Sequence, residues 1–418
     1  MSLHIEANTP AMLGDLKVAN RRTVLSAFRR GAVAGVSEVS QQTGISRPTV
    51  VKCIRFFLDS GLLVSLGKGP STAIGGKRPE NYTLSGRRYF LCLALWPQEM
   101  RACLYTIGHT LLGSISLSGP LPDTADEISR KSATLAARLL REQCVQPRDV
   151  CAVSVSTSGT VDRETGTLLY SSHTPQWGTH VHLLDDLRGL FGLATPIYLE
   201  NAGKMCARPF LLDSALRSQR VLVLFTTWGL SGCMLEHGHI LSGQNSLIGE
   251  VGHMTLDPSD PEPCGCGSHG CFERLVSAAR VRRMVQDAAA SYPASALPGR
   301  PDLTIPQLFE ASAAGDPLAQ DVSRKLAAVF AHALRNICLV FDPDCVILQG
   351  DYAAADDVFR QALEENLSGF RYFPSSMPFT LLSDTRTLSE MDAEGAFIAL
   401  DHLYFCNLDL YRDEPAEG

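Results

Sequence analysis

Three cysteines lie close together in the second half of this 418-residue chain, at a spacing that suits a metal ion. They belong to the run Cys-Gly-Cys-Gly-Ser-His-Gly-Cys-Phe-Glu, which begins at Cys264 and ends at Glu273. Zinc in proteins prefers four sulfur or nitrogen ligands arranged as a tetrahedron. A fourth ligand could come from His253, eleven residues before the first cysteine, or from His269 inside the run. We favour His253, because His269 stands between two of the thiols and reaches their common centre awkwardly.

The sequence therefore predicts one zinc ion per chain, held by His253, Cys264, Cys266 and Cys271. We expect this ion to be structural, because three thiolates and a histidine fill all four positions, whereas a catalytic zinc keeps one position open for water. A metal-free loop and a redox-sensing thiol cluster are the alternatives. The thirteen cysteines do not indicate disulfides, since their number is odd and the sequence starts without a secretory signal.

The cysteine run and the segment before it resemble the ROK family, which comprises repressors, open reading frames and sugar kinases. The family's zinc signature C-x-C-G-x-x-G-C-x-E agrees at every fixed position with residues 264–273, and its pattern G-E-x-G-H agrees with residues 249–253. The resemblance implies a two-lobed α/β body of the actin-like (ribonuclease H-like) fold, with a sugar pocket in the cleft between the lobes. In the family's kinases the sugar hydroxyls are held by side chains that match Asn201, Glu250, His253 and Glu273 in this sequence.

The residues that ROK kinases need for phosphoryl transfer are missing here. Those kinases take the proton from the sugar hydroxyl with an Asp that follows the Asn, but here Ala202 follows Asn201, and alanine cannot accept a proton. Their first phosphate loop, Asp-x-Gly-Gly-Thr, is replaced by Trp96-Pro-Gln-Glu-Met, and their second glycine loop is only half kept in residues 227–232. The sequence therefore predicts that the protein is not an enzyme. Loss of the Asp would also weaken a bound sugar by about 1.5–3 kcal/mol, so the effector could differ from the usual hexoses or the pocket could be unused.

The first 85 residues are basic, whereas the rest of the chain is acidic. They hold 11 Lys and Arg against 5 Asp and Glu, although the whole chain carries a net charge of −7. This asymmetry indicates that the N-terminal segment meets a polyanion. Helices are predicted over residues 16–30 and 36–43, and a third begins at Ser46, whose hydroxyl suits an N-cap and which is followed by Pro48 in the first turn. One buried face of this third helix is predicted from Val50, Ile54, Phe57 and Gly61.

The opposite face of the third helix is predicted to enter the major groove of double-stranded DNA. Two strands follow, within residues 61–66 and 82–84, and form a wing. This arrangement resembles the winged helix-turn-helix of the ROK repressors, a domain that the family's sugar kinases lack. The predicted DNA contacts are Ser46, Arg47, Thr49, Lys52 and Arg55 on the helix, with Lys77 and Arg78 near the tip of the wing. The alternative is a three-helix packing module with a solvated basic face.

Three domains are predicted: a winged helix-turn-helix domain at residues 1–85, a first lobe at 86–200 that a C-terminal helix at 389–405 closes, and a second lobe with the zinc loop at 201–388. The chain lacks an apolar run long enough to span a membrane and is expected in the cytoplasm. The predicted function is a DNA-binding transcriptional regulator, by resemblance a repressor, that senses a sugar or sugar derivative as a homodimer or homotetramer. The alternatives are an ATP-dependent sugar kinase with an appended DNA-binding head and a body that binds a protein partner.

Overall fold

The computed structural model describes residues 13–68, 80–373, 375 and 377–413. Within these ranges the chain forms a small N-terminal head and a body with two five-stranded sheets. Lys77 and Arg78, the two predicted DNA contacts of the wing, lie outside the described residues. No helix within the described ranges is long and apolar enough to cross a membrane.

The head consists of three helices and three short strands. Its elements are α1 (Leu13–Ser26), β1 (Ala34–Gly35), α2 (Val36–Thr43), α3 (Arg47–Asp59), β2 (Leu63–Lys68) and β3 (Glu80–Leu84). Strand β3 pairs antiparallel with both β1 and β2. Val50, Ile54 and Phe57 of α3 are buried, as the apolar spacing of this helix predicts. The pair α2–α3 followed by the β2–β3 hairpin has the architecture of a winged helix-turn-helix.

The structure corrects three details of the head. Helix α1 ends at Ser26 rather than at residue 30, because the chain then turns through a short 3-10 segment in which Arg30 adopts the left-handed conformation, with φ 59°. Gly61 lies beyond the end of α3 and is exposed, so it is not part of the buried face. Ser46 does occupy the N-cap position of α3, but its hydroxyl pairs with the Thr49 hydroxyl at 3.0 Å and caps no backbone N–H.

The first sheet of the body is built from residues 89–201. Its lobe contains β4 (Tyr89–Trp96), β5 (Glu99–Thr106), β6 (Leu111–Ser118), α4 (Ala125–Glu142), β7 (Val150–Thr157), β8 (Thr160–Asp162), β9 (Thr167–Tyr170), α5 (Asp185–Phe191) and β10 (Ile197–Asn201). The strand order is β10–β7–β4–β5–β6, in which β4, β5 and β6 are antiparallel to one another and β7 and β10 run parallel to β4. The continuous apolar run of β4 is buried from Phe90 to Trp96, as expected for a central strand covered on both faces.

The second sheet repeats this arrangement. Its elements are α6 (Ala202–Ala207), β11 (Arg220–Thr226), β12 (Leu230–Glu236), β13 (His239–Ile240), α7 (Phe272–Leu275), α8 (Ala278–Ala288), α9 (Ile305–Ala313), α10 (Pro317–Phe341), β14 (Cys345–Gly350), α11 (Asp357–Ser368), β15 (Thr380–Asp384) and α12 (Leu388–Cys406). Three antiparallel strands, β11 to β13, are again joined at one edge to two parallel strands, β14 and β15. Two equivalent halves of this kind form the two-lobed actin-like body that the sequence predicts.

Helix α12 returns to the first lobe and connects it with the head. Phe397 of α12 packs against Phe90 of β4, with 5.6 Å between the ring centroids. The head joins the same apolar cluster through Phe57, whose ring lies 6.3 Å from that of Tyr411, shortly after α12. The head, the first sheet and α12 therefore share one core, while the predicted domain boundaries stay a prediction.

Candidate functional site

One histidine and three cysteines meet in the second lobe. The ligand atoms of these four side chains all lie within 4.8 Å of one another, and the residues are His253, Cys264, Cys266 and Cys271. The Sγ of Cys264 is 3.5 Å from the Nδ1 of His253, and the Sγ atoms of Cys266 and Cys271 are 3.6 Å apart. With zinc–sulfur bonds of about 2.3 Å, the sulfurs of a tetrahedral site stand roughly 3.8 Å apart. Ligand types and spacing therefore fit a zinc ion, and His269 is not part of the cluster.

The cluster ties together two segments that carry carboxylates. His253 ends a short 3-10 turn that begins just after Glu250. Cys271 is the N-cap of α7, and the first turn of that helix holds Glu273. A metal ion bound by His253 and Cys271 would therefore fix the two carboxylates relative to one another, because each stands only two or three residues from a ligand.

Two glycines let the segment that carries Glu250 lie directly on β12. A Cβ atom at Gly249 would stand 2.0 Å from the carbonyl oxygen of Gly232, and one at Gly252 would stand 2.0 Å from that of Leu230. Gly249 also has φ 100°, a conformation that L side chains rarely adopt. The glycines of the G-E-x-G-H pattern are thus needed for close packing of backbone on backbone, and this packing places Glu250 at the cleft.

The four predicted effector-binding residues line one cavity of about 220 Å³ between the two sheets. Asn201 comes from the end of β10 in the first lobe, whereas Glu250, His253 and Glu273 come from the second lobe. Further polar groups in the lining are contributed by Ser158, Thr160, Tyr170, Ser172, His173 and Ser231. A cavity lined by hydroxyl, carboxylate, amide and imidazole groups suits a small polyhydroxy molecule, because each hydroxyl of such a ligand both donates and accepts.

The two carboxylates differ in how far the protein already uses them. Glu250 is half-buried, lines the cavity and makes no side-chain hydrogen bond within the described part of the chain. The Oε2 of Glu273 accepts a hydrogen bond from the backbone N–H of Leu230 at 2.8 Å. Glu250 is therefore the carboxylate with both oxygens available for a ligand.

Asn201 is held firmly by the protein. Its Oδ1 accepts hydrogen bonds from the N–H groups of Gly203 at 2.9 Å and Lys204 at 3.2 Å, so it caps α6. Its Nδ2 donates to the carbonyl of Gly159 at 2.9 Å. One N–H of this amide remains for a ligand. A ligand that displaces the Asn201 side chain would also displace the start of α6, because the same side chain caps that helix.

His173 belongs to the same cavity, and no sequence motif indicates it. It lies beside Glu273 with Gly229 between them, since a Cβ at Gly229 would stand 2.5 Å from His173 Nε2 and 2.8 Å from Glu273 Oε2. Burial lowers the pKa of His173, although the negative charge of Glu273 opposes this effect. A neutral imidazole can both donate and accept, as a sugar hydroxyl requires.

Comparison with known proteins assigns the segment that contains these cavity residues to a protein family. A model of the ROK family matches residues 103–397. The chain belongs to the ROK family. It is 23% identical to the DNA-binding transcriptional dual regulator NagC of Escherichia coli (strain K12) over 397 residues, which cover 93% of this chain and 94% of NagC. It is 28% identical to a glucokinase of Thermotoga maritima over 224 residues, which cover 51% of this chain and 68% of the glucokinase.

A solved ROK structure shows the same architecture over almost the whole length. The crystal structure of a ROK family transcriptional regulator, described as a homolog of the Mlc protein of E. coli, has a TM-score of 0.74 to this chain at 19% identity. The match covers 95% of this chain and 98% of that one. The matches to NagC and to this regulator are long enough to include most of the head, whereas the glucokinase match covers about half of the chain. The predicted family and fold are confirmed.

Aromatic packing surrounds Ala202, the position at which ROK kinases are expected to carry their catalytic base. The two tryptophans involved belong to the segments expected to replace the kinases' first and second glycine loops. Ala202, the first residue of α6, is only 2% exposed and packs with Trp96 and Trp228. The two indole rings are 5.9 Å apart between centroids. Trp96 ends β4, and Trp228 stands in the turn between β11 and β12, where Thr226 pairs with Leu230. Bulky rings therefore fill the two segments that the sequence predicts to replace the glycine loops of the ROK kinases, and glycines are what lets a backbone approach phosphates.

The exposed face of α3 carries the predicted DNA contacts that the structure describes. Arg47, Lys52 and Arg55 are exposed, as is Ser46, while Thr49 is half-buried. None of the three basic side chains has an acidic partner among the described residues. A basic helix face without internal partners is available to DNA phosphates and base edges, and these contacts stay a prediction.

Proposed function

We propose that this ROK protein is a DNA-binding transcriptional regulator that acts as a repressor. Its body binds a sugar or sugar derivative without phosphorylating it. The observation that carries the proposal is Ala202, packed against two tryptophans in a chain that begins with a basic winged helix-turn-helix. Phosphoryl transfer needs a carboxylate at the sugar hydroxyl and backbone contacts to the nucleotide phosphates. The similarity to NagC over 93% of the chain supports the same conclusion.

The head would bind double-stranded DNA through α3. Arg47 stands at the first position of this helix, where side chains reach base edges, and Lys52 and Arg55 follow on the same exposed face. A homodimer or homotetramer would present two such helices to paired half-sites. This role places the protein in the cytoplasm, with the DNA.

We assign one structural zinc ion to His253, Cys264, Cys266 and Cys271. When bound, the ion supplies no reaction chemistry and acts as a cross-link between the turn after Glu250 and the start of α7. His253 approaches Cys264 with its Nδ1, so the other ring nitrogen, Nε2, is left to donate to a ligand in the cavity.

In the cavity, Glu250 and Glu273 would accept hydrogen bonds from hydroxyl groups of the effector. Asn201 would donate its remaining N–H, and His253 would donate through Nε2. The absence of a carboxylate at Ala202 removes one acceptor that a kinase offers, so the effector is expected to make its strongest contacts with the zinc-loop side of the cavity.

A chain of close contacts leads from this cavity to the head. Asn201 caps α6, and α6 packs on α12 so closely that a Cβ at Gly395 would stand 1.9 Å from the carbonyl oxygen of Met205. Further along α12, Asp401 pairs with Arg29 of the head. The cavity could bind the effector more tightly when α6 occupies one of two positions. Binding of the effector would then shift the population of head positions as well.

The proposal is tested by selecting genomic DNA fragments that bind the purified protein, and by repeating the selection with a panel of sugars and sugar phosphates. One palindromic site, released by one compound, is the expected result. A site that no compound disturbs would favour a protein partner as the signal. ATP hydrolysis that depends on any sugar of the panel would establish the kinase alternative and overturn the proposal.

A further inference from the structure

A second cavity lies where the head, both lobes and α12 meet. Its volume is about 650 Å³. It is lined by the turn after α1, the β8–β9 hairpin, β10, the segment after α6, the β12–β13 hairpin and α12. The lining residues that give it most of its charge are Arg29, Arg30, Arg163, Arg208 and Asp401.

The cavity carries an excess of positive charge. Four arginines line it, and two carboxylates stand beside them: Asp401 pairs with Arg29, and the buried Glu200 lies near the other two arginines of the body. Two positive charges are therefore left over, in a chain whose net charge is −7. Such a local excess in a partly enclosed space attracts anions.

Glu200 does not use up the N–H donors of Arg163 and Arg208. Its Oε2 accepts from the Tyr198 hydroxyl at 2.7 Å, and its Oε1 accepts from the N–H of Asn201 at 3.0 Å. The nearest guanidinium nitrogens stand 3.4 Å (Arg163) and 3.5 Å (Arg208) from Oε2. These distances exceed the roughly 2.7–2.9 Å of a good charge-assisted hydrogen bond. Arg163 and Arg208 also donate through Nη2 to the Ser242 and Tyr198 hydroxyls, respectively, and keep their other donors for a further anion.

Two more donors lack partners. Only 9% of Arg208 is exposed, yet its Nε–H has no hydrogen-bond partner in the part of the chain that the structure describes. Arg30, on the head side of the cavity, forms no ion pair with any described residue, and it holds the left-handed conformation that non-glycine residues rarely adopt. The buried Nε–H of Arg208 without a partner indicates a missing acceptor, whereas the exposed Arg30 adds positive charge to the lining of the cavity.

A histidine at the rim responds to the same positive charges. Burial lowers the pKa of His402, and the charges of Arg208 and Arg29 lower it further. His402 is therefore neutral near pH 7, and the arginines set the charge of the cavity.

We propose that this arginine-lined cavity binds a phosphomonoester dianion carried by a small metabolite. Guanidinium groups match phosphate oxygens in a bidentate geometry, and two net positive charges match a dianion. The volume exceeds what an inorganic ion alone would fill, so it leaves room for the organic part of the ligand. The proposal does not rest on the proposed regulator function, because it concerns binding at a separate cavity.

Glu200 connects this cavity with the first one. Its carboxylate lies beside Arg163 and Arg208, and its chain neighbour Asn201 lines the first cavity and caps α6. A phosphate bound to the free donors of the two arginines would repel the nearby Glu200 carboxylate and thereby shift Asn201. Occupation of either cavity should therefore change the affinity of the other by the same factor.

Titration calorimetry of the full chain at constant ionic strength tests the proposal, with inorganic phosphate and phenyl phosphate as the probes. We expect saturable binding of both to the unmodified protein. Arg163→Gln and Arg30→Gln should each weaken it about tenfold or more, because each removes one charge-assisted contact. The matched control Arg138→Gln changes an exposed arginine of α4 that lines neither cavity, so it should keep the affinity of the unmodified protein.

Two outcomes would overturn the proposal. One is equal affinity of phosphate for the unmodified protein, Arg163→Gln and Arg30→Gln, which would mean that the anion binds elsewhere. The other is no saturable binding of either probe while the two variants lose affinity for duplex DNA, which would make the cavity a contact to the DNA backbone. Two separate substitutions in different parts of the fold guard against a folding defect in either one.

Discussion

Glu250→Gln gives the sharpest test of the proposed effector site, because it removes a charge and leaves the shape of the side chain almost unchanged. Glu250 lines the first cavity and makes no side-chain hydrogen bond with a described residue, so the substitution breaks no internal contact. A hydrogen bond to a charged group contributes about 1.5–3 kcal/mol, and one between neutral groups about 0.5–1.5 kcal/mol. The difference of roughly 1–2 kcal/mol predicts an effector dissociation constant about 5- to 30-fold higher in the variant.

Tryptophan fluorescence provides the assay. Trp228 lines the cavity, whereas Trp177 packs elsewhere in the first lobe, so ligand binding should change the emission of the Trp96–Trp228 pair. Each compound of a sugar panel is titrated into the unmodified protein, and the compound with a saturable response is then titrated into Glu250→Gln. Glu310→Gln, the same change at an exposed position of α9, is the matched control and should bind as the unmodified protein does.

The reasoning would be refuted if Glu250→Gln bound the compound as tightly as the unmodified protein. The ligand would then lie outside the reach of Glu250, and the role proposed for the G-E-x-G-H segment would be wrong. Equal loss of affinity in Glu310→Gln would show that the change acts through net charge and not through the cavity.

Three further predictions concern the head, the metal and a buried carboxylate. Arg47→Ala should lower the affinity for the selected DNA at physiological salt by about 1–3 kcal/mol, measured by fluorescence anisotropy, while Arg130→Ala on α4 should not; unchanged affinity would remove Arg47 from the DNA contacts. Elemental analysis should find about one zinc per chain, and Cys266→Ser should lose most of it; a full zinc content in this variant would contradict the ligand set. Burial raises the pKa of Asp392 to about 7, so its ionisation opposes folding, and this carboxyl should lower the free energy of unfolding by about 1 kcal/mol as the pH rises from 6 to 8. Asp392→Asn should remove that part of the pH dependence in urea unfolding, and the same slope in both proteins would refute it.

Local patterns carried the predictions that held. The histidine and three cysteines of the predicted zinc site stand within twenty residues of one another, and glycines in the same stretch allow the tight turns, so their spacing alone predicts the cluster that the structure shows, while the zinc ion itself stays a prediction. The helix-turn-helix was predictable for the same reason, because the turn at Gly44 and the apolar face of α3 are local features. The end of α1 at Ser26, the exposure of Gly61 and the pairing of the Ser46 hydroxyl with Thr49 in place of the predicted cap needed the structure.

Features that depend on distant segments could not be predicted. The contact of Trp96 with Trp228 joins the ends of two different sheets, and the two segments that replace the glycine loops gave no sign that their tryptophans would meet. His173 reaches the first cavity from a loop without any recognisable spacing to Glu273. The arginine-lined cavity is assembled from six segments, so the sequence showed its arginines only as scattered charges. The sequence therefore predicted the chemical character of each segment better than it predicted which segments come into contact.

The central claim is that a ligand in the first cavity controls DNA binding by the head. The most direct test is fluorescence anisotropy of the selected DNA site with the unmodified protein and Glu250→Gln, titrated with the compound that binds the cavity. We predict that the compound releases DNA from the unmodified protein, and that Glu250→Gln binds DNA normally but needs about 5- to 30-fold more compound for release. A compound that saturates the cavity and leaves the DNA affinity of the unmodified protein unchanged would contradict the account.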